Sequence, residues 1–523
     1  MQPPDENSTL WYRRHFSVPP AWRGQRVRLH FGAVDWHARV SVNGHRIGQH
    51  RGGYDGFSFD LTDDLKWNGD EEIIVAVQDP TDGGQPHGKQ SRKSENIFHT
   101  PSSGIWQTVW LEPVPNICLD DLRLVPDVDK NLLRVRAAVA SQSDALTVEI
   151  IARSSNREIA RATGAANREL NLPIAAPHLW TPDDPFLYDL KVTLLASNRV
   201  VDSVASYFGM RKTALKKDEE GKTRSALNDQ FTFQMGALDQ GFWPDGIYTA
   251  PTDAALCFDI ESLKRAGFNR ARKHVKVEPG RWYFWCDKLG LLVWQDMPSG
   301  KNTTPESRRQ FETELQRMVE GRGNHPCIVT WVLFNEGWGQ YDTERLVPWL
   351  KSLDPSRLID SASGWTDKRV GDLMDTHSYP GPESPPTEAD RAAVLGEFGG
   401  LGLGVTNHTW SGQSWGYQPM PDAETLGAHY GQLLERVHTL NYSFGLSAAI
   451  YTQTADVETE CNGLMTDDRA ISKLDAATLC AANGKMKRRQ AAVGKGWMNG
   501  SWGAIFGRKP PCERATSKPR RMA

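Results

Sequence analysis

The sequence predicts two β-sandwiches followed by a (β/α)8 barrel. Three observations carry this. Residues 8–212 hold only short alternating or apolar runs separated by turn residues. From about residue 229, eight short apolar runs alternate with amphipathic stretches over roughly 250 residues, the arithmetic of a (β/α)8 barrel. Two glutamates, Glu336 in TWVLFNEGWGQ and Glu397 in AVLGEFGG, each stand at the end of such a run.

In the first segment, RVRLHF, ARVSVNG, HRIGQH, IIVAVQ and TVWLEPV are strands. Asn43-Gly44, Gly52-Gly53 and Gly83-Gly84 supply turns between them. Residues 1–113 therefore form a sandwich or jelly roll. Residues 79–103 make a polar loop too long for a simple connection, so a functional role is expected. Residues 114–212 repeat the pattern in LRLVPDV, LLRVRAAVA, LTVEIIAR and LYDLKVTLL, a second sandwich. The charged stretch KKDEEGKTRSALNDQ reads as a linker or exposed hairpin into the barrel, placed at 213–484.

The barrel strands are FTFQMGAL, FNRAR, LLVWQ, CIVTWVLF, RLIDSA, LMDTH, AAVLGEF and FGLSAAIYTQ. Helices are expected near 253–266, 281–289, 303–321, 341–353 and 421–439, with the connections after the fifth and sixth strands too short for full helices. Residues 485–523 carry eleven Lys/Arg against Glu513 alone and show no sustained period, so they read as a basic, disordered tail.

Composition narrows the function. The 523 residues exceed one core. Hydrophobic residues at 39% and charged residues at 24% are those of an ordinary globular chain. The 19 Trp residues suit stacking on sugar faces, although Trp also fills cores. Seven scattered cysteines give neither a disulfide framework nor a zinc site. No apolar run reaches membrane-spanning length, and the N-terminus lacks signal-peptide character, so the expected location is cytoplasmic. No Gly-rich phosphate loop follows a strand and GxSxG is absent. A nucleic-acid partner is not expected, and a homo-oligomer is compatible with the sequence.

A carboxylate ending a barrel strand faces the rim where parallel α/β folds build active sites. Two of them are the minimum machinery for hydrolysing a glycosidic bond: one neutral to protonate the leaving oxygen, one ionised to attack the anomeric carbon. Arg272, His274, Asp296, His377 and Tyr379 end the second, third and sixth strands, and Gln453 follows the eighth. They supply a cation, a hydroxyl and an amide around a sugar-sized cleft. No HxH or HExxH spacing supports a metal at His377, and no cofactor is expected; a divalent cation is not indicated.

The chain resembles retaining β-glycosidases of glycoside hydrolase family 2. The likeness rests on LWYRRHFSVP, Asp35-Trp36, VSVNGHRIGQHRGGYDGFSFDLT and SGIWQTVWLE in the first segment, and on LWTPDDPFLYDL and FGMR in the second. In the third it rests on NRARKH, KLGLLVWQDMP, VLFNEGWG and GEFGG. The resemblance implies a sugar-binding jelly roll, an immunoglobulin-like domain and a catalytic TIM barrel. It implies Glu336 as acid/base, Glu397 as nucleophile, and Asn335 on the substrate 2-hydroxyl. Arg272 and Tyr379 would position the nucleophile. The implied partner is a small glycoside, oligosaccharide or polysaccharide.

Two departures stand out. Tyr451-Thr452-Gln453 replaces the Trp usual near the end of the eighth strand, and an Asn-x-Lys motif for a uronate carboxylate is not evident. The expected activity is therefore closest to a β-galactosidase, with β-glucuronidase, β-mannosidase, and β-galactofuranosidase or arabinosidase as alternatives. An inactive carbohydrate-binding scaffold is the alternative of another class. Members usually carry tens of residues before the LWYRR strand, so an N-terminal truncation is expected, which leaves the compartment open. In related enzymes the loop matching 79–103 reaches over the barrel mouth, which makes Asp82 or His87 candidate contributors there.

Overall fold

The computed structural model describes residues 8–140 and 145–493, with side chains to 484. The first segment packs two antiparallel sheets face to face. One runs in the order Leu10–Phe16, Glu71–Gln78, His37–Val42, His45–Arg51; the other runs Phe57–Asp60, Arg26–Phe31, Val109–Val114. Arg26–Phe31 and His37–Val42 alternate half-buried and buried residues, and Val27, Leu29, Phe31, Ala38, Val40 and Val42 form the core between the layers. The second segment is again two sheets: Asp121–Asp127, Leu132–Ala138, Glu169–Pro173, against Arg157–Ala165, Leu146–Ser154, Tyr188–Ala196, Arg199–Phe208.

The third segment is an eight-stranded parallel sheet curled into a barrel. Its strands are β1 (Gln234–Asp239), β2 (Arg270–Lys273), β3 (Leu292–Asp296) and β4 (Ile328–Val332), then β5 (Leu358–Asp360), β6 (Leu373–Ser378), β7 (Ala392–Gly399) and β8 (Ala448–Thr452). They neighbour one another in the order 5-4-3-2-1-8-7-6, so only the β5–β6 seam lacks a ladder. Outer helices α1 (Asp253–Arg265), α2 (Gly280–Leu289), α3 (Pro305–Arg322), α4 (Thr343–Leu353) and α5 (Ala423–Phe444) cover it, and no helix follows β5 or β6. Local chemistry sets the helix ends. Thr304 and Ser307 form a reciprocal cap at α3 with Pro305 at its first position, and Gly290 ends α2 at φ 75°.

Three features differ from the sequence reading. The stretch after residue 212 is a hairpin, Thr213–Lys217 with Thr223–Leu227, but its second strand is buried throughout. Arg224 donates to the Leu446 carbonyl at 3.0 Å and Thr223 to that of Ala389 at 2.8 Å. Those residues precede β8 and β7, so this strand covers the N-terminal end of the barrel. Second, α6 (Ala476–Val493) runs into the stretch read as a tail, because its Ala, Lys, Met and Arg are strong helix formers. Residues 494–523 lie outside the described residues. Third, Trp180, Trp282, Trp294 and Trp331 are fully buried, so much of the tryptophan fills the core and does not line a cleft.

Candidate active site

β4 gives way to Leu333-Phe334-Asn335-Glu336, and this extension leans on the continuation of β5. The Glu336 amide donates to the Ser363 carbonyl at 2.8 Å. Glu336 itself sits at φ 51°, in the left-handed region that non-glycine residues avoid, and Gly337 and Gly339 follow at 77° and 60°. A methyl on Gly339 would come within 1.8 Å of the Gly300 carbonyl oxygen. That is the physical content of NEGWG: a tight turn pressed against the loop after β3.

Glu397 is placed by a register irregularity in the β6–β7 ladder, where His377 pairs with it. Gly396 precedes it because any side chain there would strike Asp375, whose carboxylate accepts from the Gly396 amide at 2.6 Å. Strand ends from opposite sides of the ring thus converge. One carboxylate oxygen each of Glu336 and Glu397 and a ring nitrogen of His377 lie within 4.8 Å of one another.

Arg272 organises the floor. Its guanidinium donates to Asp296 at 2.9–3.1 Å, to Asn335 Oδ1 at 2.8 Å and to Glu397 Oε1 at 3.1 Å, with no exposure to solvent. Tyr379 donates to the other Glu397 oxygen, Oε2, and its hydroxyl lies 2.8 Å from Thr452 Oγ1. Burial alone would raise the Glu397 pKa; positive charges led by His377 outweigh it and hold the carboxyl at about 2. Glu397 is therefore ionised at neutral pH. His377 Nδ1 lies 2.7 Å from Glu336 Oε1, and its Nε2 lies 2.8 Å from Ser363 Oγ. Burial lowers the His377 pKa, but Glu397 and the bond to Glu336 more than compensate, and the net shift is upward.

The remaining sequence candidates divide into open and occupied groups. Asn335 Nδ2 and His274 Nε2 are buried and find no partner among the described residues, so both are open to a ligand. Asp296 is consumed by Arg272, by His274 Nδ1 at 2.9 Å and by the Val275 amide. Gln453 accepts from Gln240 at 2.8 Å and donates to Asn462 at 2.9 Å, so it braces the wall. Asp82 stands farther out: its carbonyl accepts from Lys301, and it shares a cavity of about 290 Å³ with His87, Phe98 and Trp338. No contact among the described residues joins the Asp82 or His87 side chain to either glutamate.

Sequence reasoning missed Lys89, His99, Gln240 and Glu460. Lys89 and His99 belong to the first-domain loop, which docks on the barrel mouth. The His87 and Gly88 amides donate to the Ser299 carbonyl at 2.8 and 3.0 Å, and the Thr100 amide donates to Glu458 at 2.8 Å. Glu460 follows β8 in no regular element, and contacts with His99 at 3.4 Å and Gln240 at 3.2 Å bring it to the site. Nothing in local periodicity signals a contact between residues so far apart in sequence. As for metals, Glu336, His377 and Glu397 have the spacing of a cation site. Arg272, 3.3 Å from His377 Nε2 and 3.1 Å from Glu397, already supplies positive charge there and opposes a second cation.

A barrel with paired carboxylates at its mouth, preceded by two β-sandwiches, defines the class of multidomain barrel proteins built around a two-carboxylate centre. Family comparison is specific. Residues 1–115 match the sugar binding domain of glycosyl hydrolases family 2, residues 117–211 match the domain described by the family name alone, and residues 250–383 match its TIM barrel domain. The chain belongs to glycoside hydrolase family 2. It is 28% identical to a β-galactosidase of Thermoanaerobacter pseudethanolicus, over 65% of this chain and 46% of that one. It is 29% identical to a putative β-glucuronidase of Formosa agariphila, over 73% and 48%. The chain thus spans less than half the length of these curated relatives. Among solved structures it resembles an FMN-binding β-glucuronidase from Facaelibacterium prausnitzii L2-6, with a TM-score of 0.74, 21% identity, and coverage of 91% of this chain and 79% of that one. A putative β-galactosidase from Bacteroides fragilis gives 0.72, 20%, 91% and 77%.

Proposed function

We propose that the chain hydrolyses terminal β-linked glycosides with retention of anomeric configuration, by double displacement. Glu397 attacks the anomeric carbon and the leaving oxygen takes a proton from Glu336. Water, deprotonated by Glu336, then releases the sugar from Glu397. The observation that carries this reading is the spacing of the pair: one carboxylate oxygen of each lies within 4.8 Å of the other. Retaining enzymes hold their carboxyls ~5 Å apart, whereas inverting ones need roughly 6.5–9.5 Å to admit a water.

The surroundings fit these roles. The nucleophile is held ionised, with one oxygen on Arg272 and the other on Tyr379. Orienting both oxygens fixes the attack direction before substrate arrives. The open amide of Asn335 is available to the 2-hydroxyl, whose hydrogen bond strengthens as the oxocarbenium character develops. The glycone we favour is a β-galactoside. The test is a panel of nitrophenyl β-glycosides, followed by NMR of the first-formed anomer on the best of them. A β-anomer first supports retention; an α-anomer first refutes it.

A further inference from the structure

Lys89 carries a charge that the double displacement does not use. The residue is only 5% exposed, and its ammonium makes no ion pair or side-chain hydrogen bond among the described residues. An ordered ammonium with no protein acceptor is open to a ligand that supplies one.

The backbone around it is fixed on both sides. A methyl on Gly88 would come within 2.3 Å of the Val275 carbonyl oxygen, so the loop lies directly on the end of β2. The Lys89 carbonyl accepts from the His99 amide at 2.9 Å, and the His99 ring reaches Glu460. Gln90 is anchored by Asp35 at 2.9 Å, by Tyr54 at 3.2 Å and by the Ser102 amide at 2.6 Å. Lys89 therefore stands at the barrel mouth, one residue after the contact with the end of β2 and paired through its carbonyl with His99, whose ring reaches Glu460. Its charge registers on His274 and on Glu460. Burial drives the His274 pKa well down, with Lys89 the next largest cause. Burial pushes Glu460 up, but Lys89 leads the groups that reverse this and hold it at about 2.

We propose that Lys89 is a specificity-determining residue whose ammonium donates to ring hydroxyls of a neutral hexopyranosyl glycone seated between Glu336 and Glu397. This rests on the glycosidase reading above. The choice of a neutral sugar follows from the neighbours. Glu397 and Glu460 are both ionised, and both are already satisfied, Glu460 by Gln240 at 3.2 Å, Asn462 at 3.0 Å and His99. A uronate would bring a third negative charge beside two carboxylates that Arg272, His377 and Lys89 already balance. A hydroxyl accepts from Lys89 without that repulsion. The first domain thereby reads the sugar that the barrel cleaves.

The test compares the best-cleaved nitrophenyl β-hexopyranoside with its 3-, 4- and 6-deoxy analogues, using wild type, Lys89→Met and Lys89→Gln. Wild type should lose ~10- to 100-fold in kcat/KM on at least one analogue, the size expected of a hydrogen bond to a charged group. Lys89→Met should lose a similar factor on the parent sugar and little more on that analogue, because the two changes remove one interaction. A merely structural role would lower all substrates equally and leave the analogue penalty intact, which overturns the proposal. So does a wild-type penalty below about threefold on every analogue; that measurement needs no variant to fold. A wild-type preference for a β-glucuronide that vanishes in Lys89→Met overturns the neutral glycone while leaving the glycosidase reading standing. If wild type cleaves no β-glycoside of the panel, the glycosidase reading fails, and this proposal with it.

Discussion

Arg272 Nη1 lies 3.1 Å from Glu397 Oε1, and the same guanidinium reaches Asn335 Oδ1 at 2.8 Å through Nη2. One planar fork therefore fixes the group at the end of β7 relative to the group beside Glu336. Lysine could not replace it, because a single ammonium lacks the rigid two-pronged geometry.

That arrangement makes the two glutamates separable by kinetics. Glu397→Gln should abolish turnover on every substrate, since no nucleophile remains. Glu336→Gln should keep much of its rate on a dinitrophenyl glycoside, which needs little protonation, and lose ~100- to 10,000-fold on poor leaving groups. Azide should restore rate to Glu336→Gln as a glycosyl azide. Equal losses on the activated substrate, without azide rescue, would mean the roles are misassigned.

His377 ties the pH behaviour together. The Glu397 carboxyl is depressed to about 2, so its stabilising contribution is present above the unfolded carboxyl pKa and lost as pH falls toward 2. His377 is shifted upward, so its contribution is full below ~6.5 and lost as pH rises through the higher folded value. Replacing His377 with Gln removes the leading positive charge beside Glu397. The acid limb of kcat/KM on an activated glycoside should then move to higher pH, and the alkaline decline of thermal stability above ~pH 6.5 should weaken. A profile unchanged on its acid side would refute the coupling.

Arg211 tests the joint between the second sandwich and the barrel. It is buried and donates to the carbonyls of Pro326, Ser356 and Ile328 at 2.8–3.1 Å. Arg357 also serves Ile328 and Thr213 also serves Ser356, so among the described residues only Pro326 is orphaned by its removal. Arg211→Met should therefore cost about 2–4 kcal/mol, not the larger sum of three bonds. Chemical denaturation measures it, and kcat of the folded fraction should be unchanged.

The barrel was legible because its strands are short apolar runs buried on both faces, and because Glu336 and Glu397 interrupt that pattern with charge. The turn chemistry was legible too: Gly337, Gly339 and Gly396 stand where a side chain would clash. What escaped was long-range. Asp296 and Gln453 look like ligands in the sequence, yet Arg272 and His274 occupy the first, and Gln240 and Asn462 the second. The buried strand Thr223–Leu227 reads as exposed because Thr, Arg and Ser carry it, yet Thr223 and Arg224 donate to the Ala389 and Leu446 carbonyls, Asn441 and Ser447.

The loop at 79–103 gives the last prediction. It touches the barrel through several anchors, among them Ser299 with His87 and Gly88, Lys301 with the Asp82 carbonyl, Glu458 with Thr100, and Trp415, which donates to the Asn96 carbonyl at 3.2 Å. Phe98 also packs on Trp338 at 5.6 Å between ring centroids, two residues beyond Glu336. An open rim would leave the glycone half-solvated, and a wall there excludes water and orients donors. Its anchors span the loops after β3, β4, β7 and β8, so they reach the rim on the sides of both glutamates. Replacing residues 92–97 with two glycines keeps Lys89 and His99 but removes the Trp415 contact and loosens Phe98. KM should rise ~10-fold, roughly the cost of one lost ordering contact, with the barrel's melting temperature held within a few degrees. The loss should be larger on an extended aglycone than on a nitrophenyl one, because Phe98 packs on Trp338, two residues beyond the glutamate assigned to protonate the leaving oxygen. Wild-type kinetics on both substrates would mean the loop is only a connection.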